Sequence, residues 1–367
     1  MRLFAVIVTE DTEVPETQTL DGLDKARVKM ERLEQAVEDS YRDIQQSLQA
    51  HPVLSWQAVF LAPEYYFSKQ REVSDRFFSQ NIKQWVLHRL VALGKKFPKF
   101  LIIPGTVLWT KKAYNTTKTV TPTGMDIEKH TVNAGRVAKA KTRIQNAAPF
   151  GTETKEKGWA YQNNSSFTST PEKMLDKADL METRIAQNVA YVCLGDQVIK
   201  YHKVGNYKEV HGEQGNIVFV PGNIVGRFSV GGVKYGLEIC MDHALGVLES
   251  TINSPTDKVH IALIVSSYVS NKGSTNAAVT LHSSTMQQQM YIDNDTNNAT
   301  TTGTAPVRFE GGGTGRLAMG LTHNPIKKAN YTIWVIDLDD NKLGIANAST
   351  YKLGGTNLSS IGDKYFQ

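Results

Sequence analysis

The chain has 367 residues, is 40% hydrophobic and carries a formal net charge of +5, which is enough apolar material for a sizeable core and excludes a disordered chain. Only two cysteines occur, Cys193 and Cys240, so a disulfide framework is excluded; no paired Cys/His spacing of a structural zinc site is present either, and no metal is called for. A reducing compartment fits best.

The first element, "RLFAVIVT" from Arg2, is short, apolar and β-branched, as a buried strand is. Glu10 and Asp11 cut this run off too early for a signal peptide, and no later run reaches the roughly 18 apolar residues of a membrane span. The expectation is a soluble, cytoplasmic protein without membrane contact. The period then changes. Leu23, Ala26, Met30, Leu33, Val37, Tyr41, Ile44 and Leu48 draw one stripe down a helix of about seven turns, with Asp21 as its N-cap. "WQAVFLAPE" follows as a second buried strand, ended by Pro63. A second amphipathic helix is predicted from about Ser74 to Leu93, with Phe78, Ile82, Trp85 and Leu90 on its apolar side and Gly94 near its end. "FLIIPGTVLW" is read as a third strand. Strand, helix, strand, helix, strand is the order of an α/β sheet with helices on its face.

The stretch from about 110 to 187 breaks that rhythm and is read as an insertion. It opens polar and basic: from Lys111 to Lys157 there are ten Lys or Arg against four Asp or Glu, so the positive charge of the chain is local. Between Lys111 and Lys157 aromatic residues are nearly absent from the stretch, which argues against a nucleic-acid partner. Its two readings are a solvated mobile loop and a lid or docking element for an anionic substrate or partner. A helix is expected near "STPEKML", where Ser169 and Glu172 have capping-box spacing. Strand-and-turn grammar returns with "NVAYVCL", "QVIKYHKV", "NIVFV", "IVGRFSV", "VKYGLEIC" and "VHIALIVSSY". About 270–315 is a polar Ser/Thr/Asn-rich segment, with a weakly patterned helix around "AAVTLHSSTMQQQM", and "YTIWVIDL" is the last strand. No repeat and no linker divides the chain, so 1–367 is read as a single domain.

Three chemically capable side chains stand where an apolar strand gives out. Glu64 follows "AVFLAP" and is backed by Tyr65, Tyr66 and Phe67, a setting that raises a carboxyl pKa and makes it a usable base. Lys203 follows "QVIKYH". Cys240 closes "VKYGLEIC", at the carboxyl end of a strand, where open α/β sheets bind ligands. By position alone Cys240 is either an inert core thiol or a nucleophile, whereas Cys193, inside an alternating strand, is structural. Asp242 is expected to hold the turn after Cys240 through nearby backbone N–H groups, and His243 either lines the pocket or packs beside it.

In this order, Glu64, Lys203 and Cys240 resemble the Glu–Lys–Cys triad of the nitrilase superfamily of carbon–nitrogen hydrolases. The segments that carry the resemblance are "AVFLAPEYYF", "QVIKYHKV" and "VKYGLEICMDHALGVLE", the last with the family's G-x-x-I-C-x-D pattern and a following glutamate, Glu249; "VFVPGN" matches the turn before the cysteine strand. About 75% of the chain is covered, leaving out the basic insertion and much of the polar tract. The resemblance implies a four-layer α-β-β-α sandwich and a homodimer packed through helices near the cysteine loop. It also implies hydrolysis of a non-peptide C–N bond, an amide before a nitrile, through a cysteine thioester without a cofactor. Glu64 would be the base, Cys240 the nucleophile, and Lys203 with the Met241 N–H the oxyanion site; Tyr65 and His243 are candidates for contact with the substrate. A second glutamate is expected after the lysine, at Glu209, with Glu213 kept open, although family spacing falls between the two. An acyltransferase using the same triad, and a binding protein that merely keeps the fold, are the alternatives. Pocket residues after "IVSS" do not carry over.

Overall fold

The computed structural model describes residues 1–8, 19–69, 76–122, 124, 126–145, 175, 182–205, 209–210, 216–222, 225–251, 259–267, 269, 277–285, 318–321, 325–338, 353–354 and 358–360. Its first strands are β1 (Arg2–Val8), β2 (Trp56–Leu61), β3 (Phe78–Ser79), β4 (Phe100–Ile103), β5 (Thr106–Lys112), β6 (Tyr114–Val120) and β7 (Asp126–Val132). The long helices α1 (Gly22–Ala50) and α2 (Gln80–Lys96) lie among them, and α3 (Ala134–Gln145) follows. Then come β8 (Arg184–Leu194), β9 (Gln197–His202), β10 (Ile217–Phe219), β11 (Gly226–Val230), β12 (Val233–Ile239), the short helix α4 (Met241–Ala244), β13 (Val259–Ser266) and β14 (Ala277–Ser284). β15 (Ala318–Leu321), β16 (Ile326–Lys327), β17 (Tyr331–Leu338), β18 (Leu353–Gly354) and β19 (Leu358–Ser360) complete the series.

These strands make a mixed α/β structure. The larger sheet runs β15-β17-β1-β2-β4-β8-β5-β3, with β10 and β9 also on β8; the smaller runs β14-β13-β12-β11-β18; β6 and β7 form a separate hairpin. β1, β2 and β4 are parallel, as strands joined by the crossover helices α1 and α2 must be. Alternation along each central strand gives it two apolar faces. Phe4 and Val6 of β1, with Ala58 and Phe60 of β2, meet Met30, Leu33 and Val37 of α1 and Val86 and Leu90 of α2. Leu3, Ala5 and Ile7, with Val59 and Leu61, face Tyr235, Leu237, Ile261 and Leu263 of the smaller sheet. Hence these segments read as continuous apolar runs. Among the described residues this makes a helical layer and two stacked sheets, and no helix is long and apolar enough to cross a membrane.

Asp21 caps α1 as expected, its Oδ1 accepting from the N–H groups of Leu23 (2.9 Å) and Asp24 (3.0 Å). Several sequence expectations need correction. The second helix starts at Gln80, capped by Ser79, because Phe78 and Ser79 pair with β5 as a strand; it runs past Gly94, whose missing side chain lets the Gly195 carbonyl approach. "FLIIPGTVLW" is two strands, broken at Pro104 and Gly105. The polar, basic stretch is not a plain loop: it holds the β6–β7 hairpin and α3, whose Val137, Ala140 and Ile144 are buried at helical spacing. The bounds expected for the insertion fall inside the larger sheet, Thr110 in β5 and Gln187 in β8, opposite Trp109 in the register. Ala277–Ser284, expected to begin a helix, is instead the strand β14, paired in parallel with β13. Period-2 burial of Val279 and Leu281 against the sheet core wins there over a weak helical pattern. The helix expected at Ser169 and the second candidate glutamate, Glu213, lie outside the described residues.

Candidate active site

Glu64 comes just after β2, Lys203 directly after β9 and Cys240 directly after β12. Two adjacent carbonyls at the end of β13 bring the first and last together: the Cys240 N–H donates to Val265 (2.8 Å) and the Glu64 N–H to Ser266 (3.2 Å). Lys203 hangs from the larger sheet, its N–H donating to the Asn188 carbonyl at 2.9 Å. Gly105 seats the glutamate loop. It has φ 74°, and a Cβ there would stand 1.9 Å from the Pro63 oxygen, so only glycine allows this contact.

The side chains converge where the backbones do. Lys203 Nζ donates to Glu64 Oε1 at 2.7 Å and to Glu209 Oε1, and the three residues are 1%, 0% and 0% exposed. Asn188 bridges the two carboxylates, its Nδ2 donating to Glu64 Oε1 (3.0 Å) and more weakly to Glu209 Oε2 (3.4 Å). The Tyr65 hydroxyl donates to Glu209 Oε1 at 2.9 Å. Arg76 closes the group: its Nη2 stands 3.8 Å from Glu209 Oε2 and its Nε donates to the Glu209 carbonyl. Two carboxylates therefore face two cations in a dry setting, the arrangement in which buried charges persist.

Burial raises the Glu64 pKa; Lys203 pulls it back, Glu209 pushes it further up, and the net direction is upward. The Cys240 thiol also stands close enough to favour the charged carboxylate, although Glu64 Oε2 completes no well-formed hydrogen bond. For Lys203, burial alone would favour loss of its proton, but Glu209 and Glu64 outweigh it and the pKa lies well above the ordinary lysine value. Lys203 is a fixed positive charge. Glu64 is a carboxylate with enhanced basicity beside a thiol.

Cys240 has φ 47° and ψ −102°, and Tyr65 has φ 61°; among the described residues these are the non-glycine residues with positive φ. Strain of this kind costs roughly 1–3 kcal/mol per residue and persists only where surrounding structure enforces it. Both instances fall in this one cluster. Met241 opens α4, and its N–H meets no acceptor among the described residues.

Asp242 does not hold its own turn as expected; it ties that turn to the lysine loop. Its Oδ1 accepts from the Gly205 N–H (2.6 Å), Val204 N–H lies 3.1 Å from both oxygens, and its Oδ2 accepts from the Tyr201 hydroxyl (2.7 Å). His243 is held aside by Glu238, 2.7 Å from Nδ1 to Oε2, and Glu238 also accepts from the Leu248 N–H. Cys193 is buried within β8, and burial pushes its thiol up to about 12. Asn188 and Arg76 were missed by sequence reasoning. An asparagine followed by the apolar run "VAYVCL" was the available signal for the first, and nothing local marked the second.

No family model matches the chain, and no curated protein matches it in sequence. Among solved structures it is similar to the glutamine-dependent NAD+ synthetase from Acinetobacter baumannii in complex with adenosine diphosphate, at 12% identity and a TM-score of 0.36, over 74% of this chain and 34% of that one. The chain thus spans about a third of that protein's length. A likeness of this depth decides neither activity nor substrate.

Proposed function

We propose that the chain is a carbon–nitrogen hydrolase of the nitrilase type, with that family's four-layer α-β-β-α sandwich, and that it cleaves an amide through a thioester on Cys240. The observation that carries this reading is the buried Glu64–Lys203–Glu209 group closing on a cysteine held at positive φ. A thiol of ordinary pKa, about 8.5, is mostly protonated at neutral pH, and a carboxylate of raised pKa beside it is the base that frees the thiolate. Cys240 Sγ attacks the amide carbon, and the carbonyl oxygen takes up the negative charge between Lys203 Nζ and the Met241 N–H. Such a preorganised donor lowers the barrier by about 3–4 kcal/mol. Glu64, now protonated, gives its proton to the departing ammonia or amine, then takes one from the water that cleaves the thioester.

Glu209, Asn188 and Tyr65 act as positioning residues in this scheme: they hold Lys203 and Glu64 in register. The scheme needs no metal or cofactor. The test is a screen of small amides, glutamine, ureas, carbamoyl compounds and nitriles for ammonia release, with intact-mass detection of an acyl adduct on Cys240. Turnover of an amide with an adduct at Cys240 supports the reading. An inert Cys240 overturns it in favour of a binding protein, and acyl transfer to added amine in preference to water reassigns it as an acyltransferase.

A further inference from the structure

A second feature lies at the other end of β5. The N-terminal ends of α1 and α2 and the last residues of β5 enclose a cleft of about 780 Å³, within the usual range of small-molecule sites. Among the described residues Lys69, Lys111, Lys112, Arg136 and Arg184 line it, with Asp21 the one lining carboxylate. That carboxylate is already engaged as the cap of α1. Lys111, Lys112, Arg136 and Arg184 form no ion pair with a described residue. Lys111 is held below the ordinary lysine range, by burial first and then by Arg136, Arg143 and Lys139, all of its own sign. Like charges gathered with few counter-charges among the described residues cost the folded state free energy that an incoming anion relieves.

Hydrogen-bonding groups stand beside the charges. Gln80 and Asn81 lie in the first turn of α2, where backbone N–H groups have no intrahelical acceptor, and their residues line the cleft; Ser79 is already used as the cap. Beyond the cleft, Lys118 on the adjoining hairpin is paired with Glu128 at 3.0 Å, while α3 carries the further cations Lys139, Lys141 and Arg143. The concave shape of the cleft therefore favours a compact ligand over an extended nucleic acid.

We propose that this cleft binds a small molecule carrying two or more phosphate groups. Arginine and lysine together supply the bidentate and point-charge contacts that phosphates take. The site is separate from the cysteine cluster: Thr106, whose Oγ1 accepts from the Tyr65 N–H, and Thr110, which lines the cleft, are about 13 Å apart along the strand. It therefore holds whether or not Cys240 turns over an amide.

Calorimetric titration of the full chain with inorganic tripolyphosphate at low ionic strength tests it. Expected are one tripolyphosphate per chain, markedly weaker binding of orthophosphate, and affinity that falls with added salt. Lys111→Glu and Arg184→Glu should each weaken tripolyphosphate about tenfold or more. Lys95→Glu, on the exposed last turn of α2 and outside the cleft, should leave it unchanged. Arg184 is exposed, so its variant remains informative if the one at Lys111 misfolds. The proposal is overturned if no saturable binding is seen, if Lys95→Glu weakens binding as much as the cleft variants, or if a single-stranded oligonucleotide binds more tightly than tripolyphosphate.

Discussion

Asp242→Asn tests the electrostatics of the cysteine turn directly. Burial holds the Asp242 carboxyl up at about 7, against an ordinary 3.8, while the Gly205 N–H, Lys203, the Tyr201 hydroxyl and the Val204 N–H pull it only partway back. Between those two values the folded protein keeps a proton that the unfolded chain releases. Unfolding therefore releases a proton, and this group makes stability fall as pH rises through the window. One proton corresponds to about 1.4 kcal/mol per pH unit, so the contribution lost between about pH 4 and pH 7 is about 4 kcal/mol. Asparagine has nearly the same shape, does not titrate, and keeps an oxygen to accept from the Gly205 N–H. Urea unfolding of both proteins across this range isolates the effect, because groups unaffected by the substitution cancel in the difference. The stability of the parent relative to the variant should decline by about 4 kcal/mol from about pH 4 to pH 7 and level off above. A difference independent of pH, or one that grows with pH, would show that the donors around Asp242 outweigh its burial, and would refute this reasoning.

Other substitutions probe the neighbouring groups. A thiol-directed reagent applied to the folded protein should label Cys240 and spare Cys193, whose thiol is pushed up to about 12; peptide mapping by mass reads this, and labelling of Cys193 at neutral pH would contradict its burial. Cys240→Ala should abolish turnover with the thermal midpoint nearly unchanged, and substantial residual ammonia release would remove Cys240 from the mechanism. Glu209→Gln should lower the pKa of Lys203, because Glu209 is the largest influence raising it, so the alkaline limb of the pH–rate profile moves to lower pH. Removing this partner from a buried charge group should also cost about 3 kcal/mol of stability, and an unmoved limb would mean that Glu64 alone holds Lys203 charged. Gly105→Ala puts a methyl group into the Pro63 carbonyl at a positive φ, and should cost several kcal/mol in urea unfolding while lowering kcat through the displaced Glu64 loop.

Much of this arrangement was legible before any coordinates. Strands buried on both faces must be apolar throughout, so β1, β2, β12, β13 and β17 announced themselves, and Asp21 marked where α1 begins. Glu64, Lys203 and Cys240 were visible for the same reason, as reactive groups interrupting apolar runs at strand ends. Period and polarity, being local, determined that much. Contacts across the chain decided the rest. β14 is a strand because β13 offers it a parallel edge and an apolar face, which no pattern within Ala277–Ser284 could report. Asp242 turned from its own loop to that of Lys203 because Gly205 presents a bare N–H there. Asn188 joined the site from within β8 and Arg76 from the segment just before β3, at separations of 124 residues from Glu64 and 133 from Glu209. Electrostatics in a dry interior depends on which charges end up adjacent, and adjacency across such separations belongs to tertiary structure alone.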